Sequence, residues 1–218
     1  MTGPTSGLLG NPLANRRLGT TKPQPVRLAR LRRSIKSLPR VLKAAFAVTD
    51  RKRWLKNAKE SPSWDERNEL IAQYIPAHSS ILDLGAGAQT LRRHAPSARL
   101  YVPCDIVRST PDCIVCDFNR GIYPPADQTY DITICSGVLE YLHEPFDFLE
   151  RIRAYSKTFI LSYQPAIGAR AEKMERLAHG FVNDLSREEL EAHLQRAGYR
   201  CECVAKWQAQ LIYRLERG

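Results

Sequence analysis

The chain has no run approaching ~18 consecutive apolar residues, so a membrane span is not expected. It has no apolar stretch near its start, which argues against a secretory leader. Its six cysteines, Cys104, Cys113, Cys116, Cys135, Cys201 and Cys203, include only one C-x-x-C pair and one C-x-C pair. A structural zinc site wants a second C-x-x-C at finger-like spacing, so no metal is expected. All six lie in apolar, strand-like contexts, which reads as reduced core thiols in a cytoplasmic protein. Acidic residues are absent from the first 49 positions. Residues 1–60 hold 15 Lys and Arg against Asp50 and Glu60, a net +13. The other 158 residues hold 18 basic against 21 acidic, a net −3. The formal charge of +10 therefore belongs to the N-terminal segment.

What is present divides the chain into a basic extension over 1–60 and a globular domain over 61–218. Residues 1–26 are poor in large apolar side chains and are expected to be disordered. Leu28, Leu31, Ile35, Leu38, Leu42 and Phe46 step by three or four and fall on one face of an expected amphipathic helix, kinked at Pro39. Three readings of this arm stay open. Residues 26–59 suit an anionic membrane surface, which would make a cytoplasmic protein peripheral to the inner face of the membrane. The charge also suits nucleic acid, though less well. The apolar stripe alone suits the domain or a protein partner.

In the domain, short apolar runs alternate with helical patterns. Strands are expected at 80–84, 99–104, 113–116, 130–135 and 158–162. A final pair over 199–205 and 209–215 is joined so closely that it must be antiparallel. Helices are expected around Leu70 and Ile71, after Leu91, from Leu139 to Ile152, and from Asp184 to Gly198. This predicts an α/β fold with a doubly wound, mostly parallel seven-stranded sheet and an antiparallel C-terminal pair. The link from Asp105 to Asp112 is too short for a crossover helix and is expected to be a compressed loop.

The most informative segment is ILDLGAGAQTL at 81–91. A buried strand runs into Asp83, and Gly85 and Gly87 follow in a turn with almost no side-chain bulk. Glycines let backbone approach a ligand, and the next helix offers free N–H groups. A dinucleotide fingerprint would need G-x-G-x-x-G, but its third glycine is Thr90 here, and the acid precedes the turn. A carboxylate before the turn suits a ligand carrying an ammonium. Other acids fall at successive strand ends, where open parallel sheets bind ligands. Asp105 suits the vicinal hydroxyls of a ribose. Asp117 suits an exocyclic amine, with Phe118 and Ile106 as apolar neighbours.

These residues carry a resemblance. ILDLGAG (81–87), YVPCDI (101–106), CDFNRG (116–121), YDITICSGVLEYLHEP (130–145) and NDLSREELEAHLQRAGY (183–199) make the chain similar to Rossmann-like (class I) S-adenosylmethionine-dependent methyltransferases of the small bacterial type. The likeness extends to enzymes of biotin, quinone and methionine biosynthesis. The resemblance implies that Asp83, Gly85 and Gly87 hold the cofactor's methionine part, Asp105 its ribose, and Asp117 and Phe118 its adenine. Ser136 and Gly137 would line its far side. The third glycine of the family pattern is Gln89 in this chain, expected either to bond the cofactor carboxylate or to cap the helix.

His143 is the candidate general base, with a turn-capping role before Pro145 as the plainer reading. Tyr141, Tyr163 and Asn183 are candidate substrate contacts. The resemblance implies methyl transfer to a small-molecule, glycan or lipid-precursor acceptor. Two alternatives are an RNA methyltransferase that uses the basic arm and a non-catalytic methyltransferase-like partner protein.

Overall fold

The computed structural model describes residues 51–57, 63–168 and 170–218. The helix expected over 26–46 and the disorder expected over 1–26 fall outside these residues. Two helices come first, α1 (Arg51–Asn57) and α2 (Ser63–Ala72). The sheet then begins with β1 (Ser80–Leu84), α3 (Thr90–His94), β2 (Leu100–Asp105) and β3 (Ile114–Val115). Next come β4 (Ile132–Ser136), α4 (Pro145–Ile152), β5 (Thr158–Tyr163) and α5 (Arg170–His179). The chain closes with α6 (Arg187–Arg196), β6 (Tyr199–Trp207) and β7 (Gln210–Arg217).

The strand order is β3-β2-β1-β4-β5-β7-β6. Strands β1 to β5 pair in parallel, and β7 runs antiparallel to both β5 and β6. The topology is the doubly wound one expected, with its switch point between β1 and β4. No regular helix joins β2 to β3: the link is the compressed loop anticipated from its length.

Alternation along the strands builds two core layers. Leu82 and Leu84 of β1, Cys135 of β4, and Phe159 and Leu161 of β5 face one layer, sealed by Phe148, Leu149 and Ile152 of α4 and Leu190 and Leu194 of α6. Ile81, Ile132, Ile134 and Ile160 face the other, sealed by Ile71 of α2 and Leu91 of α3. Strand β1 is buried along its whole length, which explains its uninterrupted apolar character around the lone Asp83. Helix α6 starts at a capping box in which Ser186 and Glu189 bond each other's backbone N–H groups.

Three features depart from the sequence reading. Helix α5 lies in a stretch read only as a connection. Its anchoring residue is Arg176, 2% exposed, which donates to Asp184, to the carbonyls of Gln164 and Asn183, and to the Tyr163 hydroxyl. Cys104 and Cys116, expected as reduced thiols, are joined in a disulfide with their Cα atoms 6.1 Å apart. The ends of β2 and β3 lie side by side, and the Cys116 N–H donates to the Asp105 carbonyl, which brings the two sulfurs together. Cys201 is half-buried and Cys203 exposed, because β6 is the sheet's edge strand. Among the described residues, no helix is long and apolar enough to cross a membrane, and no cluster of His, Cys, Asp and Glu could hold a metal ion.

Candidate active site

A cleft opens over the carboxyl ends of β1 to β4. Asp83, Gly85, Gly87, Asp105, Ile106, Asp117, Phe118, Ser136, Gly137 and Tyr141 all line it. Ten residues chosen from separate segments of the chain thus meet in one place because the parallel sheet aligns their strand ends.

The turn after β1 is built for close approach. Gly85 has φ +83°, and a Cβ there would collide with Val138. The N–H groups of Gly85 and Ala86 both donate to the Cys104 carbonyl, at 2.7 and 3.0 Å, which ties the turn to β2. Gly87, at φ +53°, donates its N–H to Asp105 at 2.9 Å. The other oxygen of Asp105 accepts from the Val107 N–H at 2.9 Å. Asp105 therefore fixes both the glycine turn and the loop after β2, and its outer lone pairs still face the cleft. Burial pushes its pKa up, and the backbone N–H groups of Val107, Gly87 and Ile106 oppose that shift.

Asp83 is 3% exposed. Burial is the main cause of a pKa pushed up to about 7. The Tyr101 hydroxyl, which donates to Asp83, and the Arg67 guanidinium lower it, while the Asp105 charge raises it. Asp117 precedes the short turn over Phe118–Arg120 without a side-chain cap bond and lies 3.6 Å from the Arg120 guanidinium. Phe118 packs on Tyr123 and Phe148, which holds its ring at the rim.

Four candidate residues do not line the cleft. Gln89 sits in the left-handed region at φ 57°. Its amide nitrogen donates to Ser109 and Thr110, and its oxygen accepts from Arg92. It ties α3 to the loop after β2 without a side-chain cap and points away from the cleft's lining. His143 is exposed and engages Asn119 through its backbone N–H at 3.0 Å. Tyr163 is fully buried and donates to Asn183. Asn183 in turn donates to the carbonyls of Leu139 and Leu142 at 2.7 and 2.9 Å. Both side chains are spent on holding the turn after β4 against the loop before α6.

Sequence reasoning missed the other wall of the cleft. Arg53 and Trp54 of α1, Trp64, Arg67 and Asn68 of α2, and Gln210 of β7 all line it. Residues 51–57 were expected within the basic extension, yet they reach the site. Trp54 meets Tyr141 edge-on, with ring centroids 4.5 Å apart, and Tyr141 meets Phe181 in the same way at 5.3 Å. Arg53 donates to the Ala178 carbonyl and fills the space a Cβ at Gly180 would need.

Arg67 is 6% exposed, donates to Gln210 at 2.8 Å and to the Ser136 carbonyl at 3.4 Å, and lies over the rings of Trp64 and Trp207. Gln210 passes its own N–H on to the wholly buried Glu140 at 2.9 Å. Burial lowers the Arg67 pKa and raises that of Glu140. The only prior signal was the Trp-x-x-Arg spacing at 64–67, which places both side chains on one helix face.

A parallel-stranded α/β sheet in this order, carrying an Asp-x-Gly-x-Gly turn and strand-end acids over one cleft, defines a Rossmann-like methyltransferase fold. The sequence agrees: the model of a methyltransferase domain family matches residues 54–204. The chain belongs to that family, within the S-adenosylmethionine-dependent methyltransferases. No curated protein sequence matches it. Among solved structures, it is similar to a putative O-methyltransferase from Nostoc punctiforme, with 17% identity, a TM-score of 0.58, and 85% of this chain and 68% of that one covered. The magnesium protoporphyrin IX methyltransferase of Synechocystis, solved with bound SAH, gives 14%, 0.52, 88% and 100%. CalO1, the SAH-bound methyltransferase of calicheamicin biosynthesis, gives 16%, 0.51, 71% and 54%, so this chain spans about half of its length.

Proposed function

We propose that this protein transfers a methyl group from S-adenosylmethionine to a small-molecule acceptor. One observation carries the reading: Asp83, Asp105 and Asp117 line the same cleft as the glycine turn. The residues suit the cofactor part by part. Asp83 provides a buried carboxylate for its ammonium, Gly87 leaves open the space that a Cβ would take, Asp105 presents oxygens to vicinal hydroxyls, and Asp117 with Phe118 suits an adenine. When bound, the cofactor supplies a methyl group already activated by a sulfonium.

The protein's part is to hold the acceptor in line and exclude water. Trp54, Tyr141, Val182 and Leu142 form an apolar lining suited to that task. The site is a concave cleft of the kind small ligands use. The related structures named above also include enzymes of small-molecule biosynthesis. Thermal unfolding with added ligands tests the cofactor assignment. S-adenosylhomocysteine should raise the melting temperature by mass action, and NAD at the same concentration should leave it unchanged. Equal stabilisation by both would contradict the assignment.

A further inference from the structure

The lining of the cleft is divided by charge. The three acids sit at the ends of β1, β2 and β3. The two arginines come from α1 and α2, and Arg67 is anchored on the opposite half of the sheet, at Ser136 of β4 and Gln210 of β7. Among the described residues, no carboxylate lies within 4 Å of Arg67. Its holders are a neutral amide, a carbonyl and two indole faces, and its Nε has no hydrogen-bond partner. Glu140 and Asp83 favour its charge from a distance, but neither touches it, and a buried guanidinium without a contacting anion is costly unless something completes it. Gln210 is oriented by Glu140, so its oxygen is presented to Arg67 and cannot turn away.

Among the described residues, the carboxylates that line the cleft are Asp83, Asp105 and Asp117, which the function proposed above gives to the cofactor. The cleft's described lining contains no His, Lys or Glu, and Cys116 is bonded to Cys104. Burial pushes the Tyr141 hydroxyl above its usual range. Asp83 and Asp105 are engaged by Tyr101 and by backbone N–H groups. With those carboxylates held by the cofactor, an acceptor that arrives as a protonated hydroxyl or ammonium would find no described group suited to take its proton.

Building on the function proposed above, we infer that the acceptor atom is an anionic oxygen, a carboxylate or phenolate on a flat apolar body, and that Arg67 is the residue that holds it. Trp54 and Tyr141 provide the apolar walls. The acceptor oxygen donates an electron pair to the methyl carbon as the carbon–sulfur bond breaks and its pair goes to sulfur. The negative charge of the acceptor and the positive charge of the sulfonium vanish together, and no proton is released, so no base is required.

Calorimetry on the full chain saturated with S-adenosylhomocysteine tests this, with benzoate and 4-nitrophenolate as anionic probes and benzamide and aniline as neutral ones. An anionic probe should bind at least about tenfold more tightly than its neutral counterpart. Arg67→Gln should lose that preference, Arg67→Lys should keep part of it, and Arg67→Gln should bind S-adenosylhomocysteine within about threefold of the parent at about pH 9, where Asp83 is ionised with or without the guanidinium. The wild-type comparison of charged with neutral probes stands even if an Arg67 variant fails to fold.

Three results would overturn the inference. Neutral probes could bind as well as anions, or no anion could bind up to about 10 mM. Alternatively, Arg67→Gln could weaken S-adenosylhomocysteine about tenfold at that pH, which would show that the guanidinium serves the cofactor's own carboxylate. Failure of the unaltered chain to bind S-adenosylhomocysteine would instead refute the cofactor reading on which the inference rests.

Discussion

Asp83 stands between two demands, since a buried carboxyl prefers its proton while a bound ammonium needs its charge. Tyr101, Asp105 and Arg67 are the titratable groups that face it, and the balance leaves its pKa at about 7. Affinity for S-adenosylhomocysteine should therefore fall about tenfold between pH 8 and pH 6, as the folded protein takes up a proton that the complex must release. Tyr101→Phe removes a donor that favours the charged form, so the same loss should begin at higher pH; an unshifted profile would show the hydroxyl to be irrelevant. The stability consequence has the opposite sense. The folded pKa lies above the unfolded value of about 4, so Asp83 disfavours the folded state progressively as pH rises from about 4 to 7. Asp83→Asn should raise the melting temperature at pH 8 while abolishing cofactor binding.

At the scale of elements, the turn after β1 and the paired ends of β2 and β3 decide whether the site exists. Gly85→Ala would place a methyl group against Val138 and force φ +83° on a residue with a side chain. Equilibrium unfolding should show a cost of about 1–3 kcal/mol, with loss of S-adenosylhomocysteine binding. The Cys104–Cys116 bond ties the strands that carry Asp105 and Asp117. Alkylation of the unfolded, unreduced protein should label four cysteines, and prior reduction should expose two more. Labelling of all six without reduction would contradict the bond. Strands β1, β4 and β5 were legible because each is a short, almost wholly buried apolar run, and the compressed β2–β3 link followed from length alone. Helix α5 was not legible, since its deepest residue is the charged Arg176. The roles of Gln89, Tyr163 and Asn183 were hidden because a polar residue beside a site looks the same in sequence whether it faces ligand or backbone.

Over the whole molecule, residues 51–57, the described part of the basic N-terminal portion, share the cleft with the slightly acidic domain, because α1 brings Arg53 and Trp54 to it. The resemblance to known methyltransferases made the acid-lined half of the site readable. The arginine-lined half depends on long-range packing of α1, α2 and β7 and left no contiguous motif. Gly180→Ala, which takes the space Arg53 fills, and Trp54→Ala should both weaken anionic probes about tenfold and change S-adenosylhomocysteine affinity by no more than about threefold in calorimetry. Equal losses for both ligands would mean that α1 supports the fold and not the acceptor side. The central claim is that Asp83, the glycine turn and Asp105 form a cofactor site, and direct titration of S-adenosylhomocysteine into the full chain tests it most simply. The account predicts a low-micromolar dissociation constant, abolished by Asp83→Ala and weakened at least about tenfold by Asp105→Ala. Absence of heat at millimolar ligand, or undiminished binding by the Asp83→Ala protein, would contradict it.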